Sequence, residues 1–313
     1  MGRGTHWLVL LSVLTQSAFS AERKEELQAV VVDSSGKRSE LRNLSCPVDR
    51  KAPTIPGIQE NEEGRLLRLV HRDGMMTYCI WLPKIRVISI GDDLKCKLLL
   101  HDGKEFLGSS FSLLARNDLG ETKLEFDDVK WKVERLKGMT IEFQAAPGAE
   151  VAAMAKPETR TGEIAAVMHV GKLDYNLLAL AFFTRLEYVG ADPRFAQPGG
   201  PMAGGFKAGL STEFGFESAG QTTQSQMGAI SRFAFTGKDD RFWFPEVVLT
   251  SGSGTEYRGH FCAAAEKNRK IPGAVALAAR TEFGGIIIPL TKHEHSGALA
   301  GVTIEIARKG GEF

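Results

Sequence analysis

Cysteine, charge of one sign and long apolar runs are all scarce in this 313-residue chain, and each scarcity excludes something. Only four cysteines occur, Cys46, Cys79, Cys96 and Cys262. No two stand in C-x-x-C spacing, which argues against a zinc ribbon or a thioredoxin-like redox pair. Thirty-nine basic residues face thirty-eight acidic ones, so almost no net field exists to steer nucleic acid or an acidic membrane surface towards the molecule. Past the N-terminus no apolar run is long enough to span a bilayer, so no transmembrane segment is expected there. Also missing are a G-x-S-x-G elbow, an H-E-x-x-H helix, a Walker loop, and a G-x-G-x-x-G that follows a strand and opens a helix. No set of residues dictates a reaction.

Residues 1–21 read as a separate object. Arg3 gives a positive start, Trp7 to Leu14 a short apolar core, and Ala18-Phe19-Ser20 a small-residue cleavage site. That is the pattern of a signal peptide, so a secreted or periplasmic mature protein is expected. In an oxidising compartment four cysteines permit two disulfides, and Cys46 with Cys79, which flank one loop, is the preferred pair.

Self-similarity is the strongest feature present. "LLLHDGKEFLGSSF" (98–111) and "VVLTSGSGTEYRGHF" (247–261) share an apolar run, a glycine turn and G-x-E-aromatic-x-G. Downstream, Leu113, Ala115, Arg116, Asp118, Leu119 and Gly120 recur as Leu277, Ala279, Arg280, Glu282, Phe283 and Gly284. Weaker copies begin near residues 29 and 165, where Thr212-Glu213-Phe214-Gly215 repeats Thr281-Glu282-Phe283-Gly284. Gly36, Gly103, Gly171 and Gly254 are the expected first-turn glycines of four units. Alternation in "KCKLLLH", "RVISI" and "VTIEIAR" predicts strands.

The expected fold is all-β, with four tandem small β-barrel (SH3-like) units in two pairs, the pairs spanning 22–142 and 164–313. The alanine- and proline-rich stretch 143–163 is read as a linker containing one short helical turn at Ala149 to Ala155. Two irregular insertions, 45–64 and 191–209, are the expected binding loops. The frame resembles repeats of exported bacterial proteins of uncharacterised role, through Thr281, Phe283, Gly284, Ile286, Ile288, Pro289 and Leu290 in the last unit. The resemblance implies small SH3/Sm-like barrels and no activity, and the second unit departs from it, with Glu125-Phe126 in place of Pro-Leu.

Candidate chemistry is thin. In an extended strand His293 and His295 point to one face and suit a zinc or copper ion, with His260 as a third ligand from a neighbouring hairpin. His101 and His169 each precede a turn glycine by two residues. Acidic pairs at Asp92-Asp93, Asp127-Asp128 and Asp239-Asp240 read as solvated turns, and Phe242, Trp243 and Phe244 as buried aromatics. The expected function is an exported non-catalytic binding or scaffolding protein of the cell envelope, whose partner is an envelope protein or a glycan and not a nucleic acid. The alternatives are a secreted hydrolase of glycans or peptides and a metal-binding protein.

Overall fold

The computed structural model describes residues 27–48, 53–71, 74, 76–91, 95–117, 120–127, 137–144, 158–188, 205–238, 245–261, 273–290 and 299–307. Among them all long elements are strands. In the first part of the chain these are β1 (Ala29–Val32), β2 (Arg38–Ser45), β3 (Leu66–His71), β4 (Thr77–Trp81), β5 (Ile85–Ile90), β6 (Cys96–Leu100), β7 (Glu105–Asn117), β8 (Gly120–Asp127) and β9 (Thr140–Phe143). The second part has β10 (Ala166–Val170), β11 (Leu173–Leu177), β12 (Ala179–Tyr188), β13 (Gly205–Ser211), β14 (Glu213–Ser218), β15 (Gln221–Gln226) and β16 (Ile230–Lys238). It continues with β17 (Pro245–Ser251), β18 (Glu256–Phe261), β19 (Gly273–Thr281), β20 (Gly284–Pro289) and β21 (Thr303–Ile306). The fold is all-β, in two antiparallel sheets of thirteen and eight strands. No helix among the described residues is long and apolar enough to cross a membrane.

Local sequence explains the hairpins. In β6, Cys96, Leu98 and Leu100 are buried while Lys97 is exposed, the alternation of a strand with one face on the core. Gly36, Gly103, Gly171 and Gly254 all sit in hairpin turns at φ +82°, +88°, +60° and +88°. Three of these turns close with the same bonds: the N–H of Asp33, Leu100 or Ser251 donates to the carbonyl four residues on, and the glycine N–H donates back.

The order of the strands is less local. β2, β1, β9, β5, β6 and β7 lie side by side in the larger sheet, and β11, β10, β21, β16, β17 and β18 in the smaller. β9 is thus inserted between β1 and β5, and β21 between β10 and β16. Successive Cα partners run Val31, Ile141, Ile88, Leu98 across the first array and Met168, Ile304, Phe233, Leu249 across the second. Loop bonds coincide too. Gly138 N–H donates to Ile90 O and Ile90 N–H to Met139 O, as Gly301 does to Phe235 and Phe235 to Val302. His101 N–H donates to Lys84 O as Gly252 does to Ala229, and Gln144 to Gln28 as Ala307 to Ala165. The two arrays are one arrangement built twice.

They differ at one edge. β7 runs on to pair with β2, so the first array returns on itself. In the second array the corresponding chain is divided into β18 and β19, and β19 pairs with β12 in the larger sheet.

A seam joins the two arrays. β20 pairs antiparallel with β4 from Gly284↔Ile80 to Ile287↔Thr77. Tyr78 and Phe106 of the first array meet Tyr175 and Phe283 of the second, with ring centroids 4.9–6.3 Å apart, and the Tyr78 and Tyr175 hydroxyls are 3.1 Å apart. Burial pushes the Tyr175 phenol up. Each such aromatic pair adds roughly 0.5–1.5 kcal/mol beyond its buried area. β20 is buried on both faces because Ile286 and Ile288 enter the main core while Ile287 packs into a smaller one with Ile55, Leu66 and Cys79.

Several expectations change here. Thr281–Gly284 makes the β19–β20 turn, whereas Thr212 falls between β13 and β14 and Gly215 lies within β14, so the identical letters occupy different positions. Among the expected disulfide cysteines, Cys46, Cys79 and Cys96 are free and buried, and Cys262 lies outside the described residues. Cys46 packs in the main core and Cys79 in the smaller one. The insertion 45–64 folds back over the seam: Ile55 is 2% exposed, and Arg68 Nη2 donates to Pro53 O at 3.2 Å. The other insertion lies outside the described residues up to 204 and forms β13 thereafter. Most of the expected linker, 145–157, with the predicted helical turn, is also outside them, as are residues 1–26.

Candidate functional site

A cleft of about 870 Å³ opens on the second array. One wall is the segment 159–165 leading into β10, beside Ile306 and Ala307 at the end of β21. Thr212, Gln226, Gly228, Ile230, Ser231 and Gly252 form the opposite wall. Backbone bonds fix the frame: Met227 N–H donates to Thr212 O at 2.8 Å, Gly252 to Ala229 O at 2.9 Å and Ala307 to Ala165 O at 2.9 Å. The Ser231 hydroxyl is held by the carbonyls of Thr250 and Ser251 at 3.1 and 3.0 Å.

Glu163 is the one charged side chain among the described residues of this lining, and its carboxylate is already engaged. Its Oε2 accepts from Arg160 N at 2.6 Å and from Arg280 Nη2 at 2.6 Å. The Arg280 and Glu163 side chains are only 6% and 19% exposed. Arg280 Nη2 also reaches Glu158 O at 2.9 Å, while Nε and Nη1 have no hydrogen-bond partner among the described residues. Such a buried pair contributes little net stability when intact, but losing one partner costs roughly 3–5 kcal/mol because the other stays buried and charged. Arg280 therefore fixes segment 158–163 against β19. The cleft offers amide, hydroxyl and apolar contacts, and among the described residues its lining carries no histidine, cysteine or lysine.

The structure describes only some of the residues proposed from sequence. His293 and His295 lie outside the described residues, and His260 is half-buried on β18 with Glu217 as its Cα partner. Among the described residues no group of three or more His, Cys, Asp or Glu side chains is arranged to hold a metal ion. His101 is exposed in the β6–β7 turn. His169 faces Asp174 across a hairpin, Nδ1 to Oδ1 at 2.7 Å, in a cross-strand polar pair. Asp92-Asp93, Asp239-Asp240, Asp128 and Phe242 to Phe244 are outside the described residues. Sequence reasoning missed the cleft because it is made by small side chains, and absent atoms leave no motif. No protein-family profile, curated protein or solved structure matches this chain.

Proposed function

We propose that this chain is an exported, non-catalytic binding or scaffolding protein of the cell envelope, built from four related small-barrel units in two pairs. The repeated strand order and the coincident loop bonds support the division into two pairs, the repeated glycine frame supports four units, and residues 1–21 support export. The binding reading rests on one observation above the others: the cleft on the second array is roomy, and the only charged side chain among its described residues is neutralised by Arg280. That chemistry suits an uncharged polar ligand, either a glycan or a peptide segment, recognised through Thr212, Gln226, Ser231 and backbone groups.

Gly228 provides the test, because a Cβ placed there meets nothing within 4 Å. Arginine at that position fills the cleft without disturbing the core. The full chain is screened against a glycan array and a panel of neutral peptides, and the dissociation constant of any ligand is compared with that of Gly228→Arg at matched melting temperature. A loss of about tenfold or more is expected, equivalent to roughly 1.4 kcal/mol. Absence of wild-type binding to both panels, or binding that the variant leaves unchanged, overturns the reading.

A further inference from the structure

The seam has a counterpart that no described strand fills. Gly108 of β7 comes so close to β3 that a Cβ on it would lie 2.8 Å from Val70 O, and a Cβ on Gly259 of β18 would lie 1.9 Å from Glu217 O of β14. β14 thus corresponds to β3, and its hairpin partner β15 to β4. Likewise Arg116 of β7 pairs with β2 as Arg280 of β19 pairs with β12, which makes β8 the counterpart of β20. In the molecule β20 pairs with β4. Among the described residues, however, β8 pairs only with β7 and β15 only with β14.

From these correspondences we infer that β8 of one copy pairs with β15 of a second copy in the seam's own register. Transferring that register sets Gly120 opposite Ser225, Glu121 opposite Gln224, Thr122 opposite Thr223 and Lys123 opposite Thr222. No like charges meet. β8 carries Glu121, Lys123 and Glu125, which discourage it from pairing with another charged edge, while β15 reads Gln-Thr-Thr-Gln-Ser-Gln and has no charge at all. The surface is an edge fitted to a second copy of this chain. Each copy offers one β8 and one β15, so the contact closes a two-fold dimer when both pairs form between the same two copies, and otherwise runs head-to-tail into a ring or a filament. Within one chain β4 and β20 meet at the high effective concentration of tethered partners, whereas β8 and β15 lack both that tether and the seam's isoleucines. Their association is therefore weak and reversible. This inference rests on the unit correspondence and not on the cleft, so the two can fail separately.

Sedimentation velocity of the full chain over about three decades of concentration tests it. The weight-average mass rises with concentration in the wild type. Thr222→Lys, which sets two lysines opposite each other, raises the dissociation constant by roughly threefold, and adding Lys123→Glu restores it. Should Thr222→Lys fold poorly, Gln224→Glu opposite Glu121, rescued by Glu121→Lys, asks the same question one residue away. A mass that stays monomeric throughout overturns the proposal, as does self-association that neither charge pair weakens and rescues.

Discussion

The cleft stands on one array, and the equivalent places of the other carry different residues. Where the second array has Thr212, Gln226, Gly228, Ser231 and Gly252, the strand and loop correspondences place Arg65, Trp81, Pro83, Arg86 and His101 in the first. One backbone arrangement thus carries bulky side chains in one copy and minimal ones in the other. The arginines tell the same story. Arg116 and Arg280 hold equivalent register positions, yet Arg116 is 60% exposed and 3.9 Å from an exposed Glu121, while Arg280 is buried against Glu163. Duplication supplies the frame, and divergence of side chains at fixed places supplies the site.

Breaking the Arg280 pair should have the largest effect. Glu163→Gln leaves a buried guanidinium uncompensated and is expected to cost roughly 3–5 kcal/mol in denaturant unfolding. Arg116→Gln, its surface counterpart, should stay within about 0.5 kcal/mol. Equal losses at the two sites would erase the distinction drawn between them.

Next comes close approach. Gly259→Ala drives a Cβ into the Glu217 carbonyl, whereas at Gly108 the nearest contact is the Leu69 side chain at 2.3 Å, with Val70 O at 2.8 Å. Both substitutions should destabilise, Gly259→Ala by about 3 kcal/mol and Gly108→Ala by less, since a side chain yields more readily than backbone. Equilibrium melts of the two variants give the ranking.

Alkaline pH should act on the first array, where the three described thiols are buried. Burial pushes Cys79 up from 9.0 to about 11 and raises Cys46 and Cys96 as well. A raised folded value means that the stabilisation is complete below pH 9 and is lost as the pH climbs towards 11, by roughly 2 kcal/mol for Cys79. Melting curves between pH 8 and pH 11 should show a shallower decline in Cys79→Ala than in wild type.

The smallest expected change in stability sharpens the comparison most. Ser231→Arg with Gly252→His installs the first array's residues in the second. A Cβ at Gly252 comes no nearer than 3.7 Å to its neighbours, so stability should move by about 0.5 kcal/mol or less. Ligand binding should nevertheless disappear in titration calorimetry.

Turn glycines and strand alternation were legible because they answer local geometry. Gly103 and Gly254 require positive φ wherever their strands later pair, and Arg116-Gly120 and Arg280-Gly284 mark equivalent hairpins for the same reason. Partner choice was not legible. Nothing within "TIEF" says that β9 inserts between β1 and β5, because the information lies in complementarity with strands more than 50 residues away. The insertion 45–64 read as a binding loop because its polar letters are conspicuous, whereas Ile55 and the Arg68–Pro53 bond hold its described part over the seam. Shared letters misled at Thr212–Gly215, where identity of sequence did not carry identity of pairing.

The insertion of β9 between β1 and β5 also sets a timetable. β1 is complete when residue 32 is made, but the neighbour on its open edge, Thr140–Phe143, arrives more than a hundred residues later. At a synthesis rate of about 5–20 residues per second the nascent chain carries that raw edge for roughly ten seconds. The second array repeats the wait, with β10 made well before β21. A nascent chain of this design is most vulnerable to wrong partners in those two intervals, and a holding factor that covers strand edges during synthesis should raise its yield more than one that accelerates later steps.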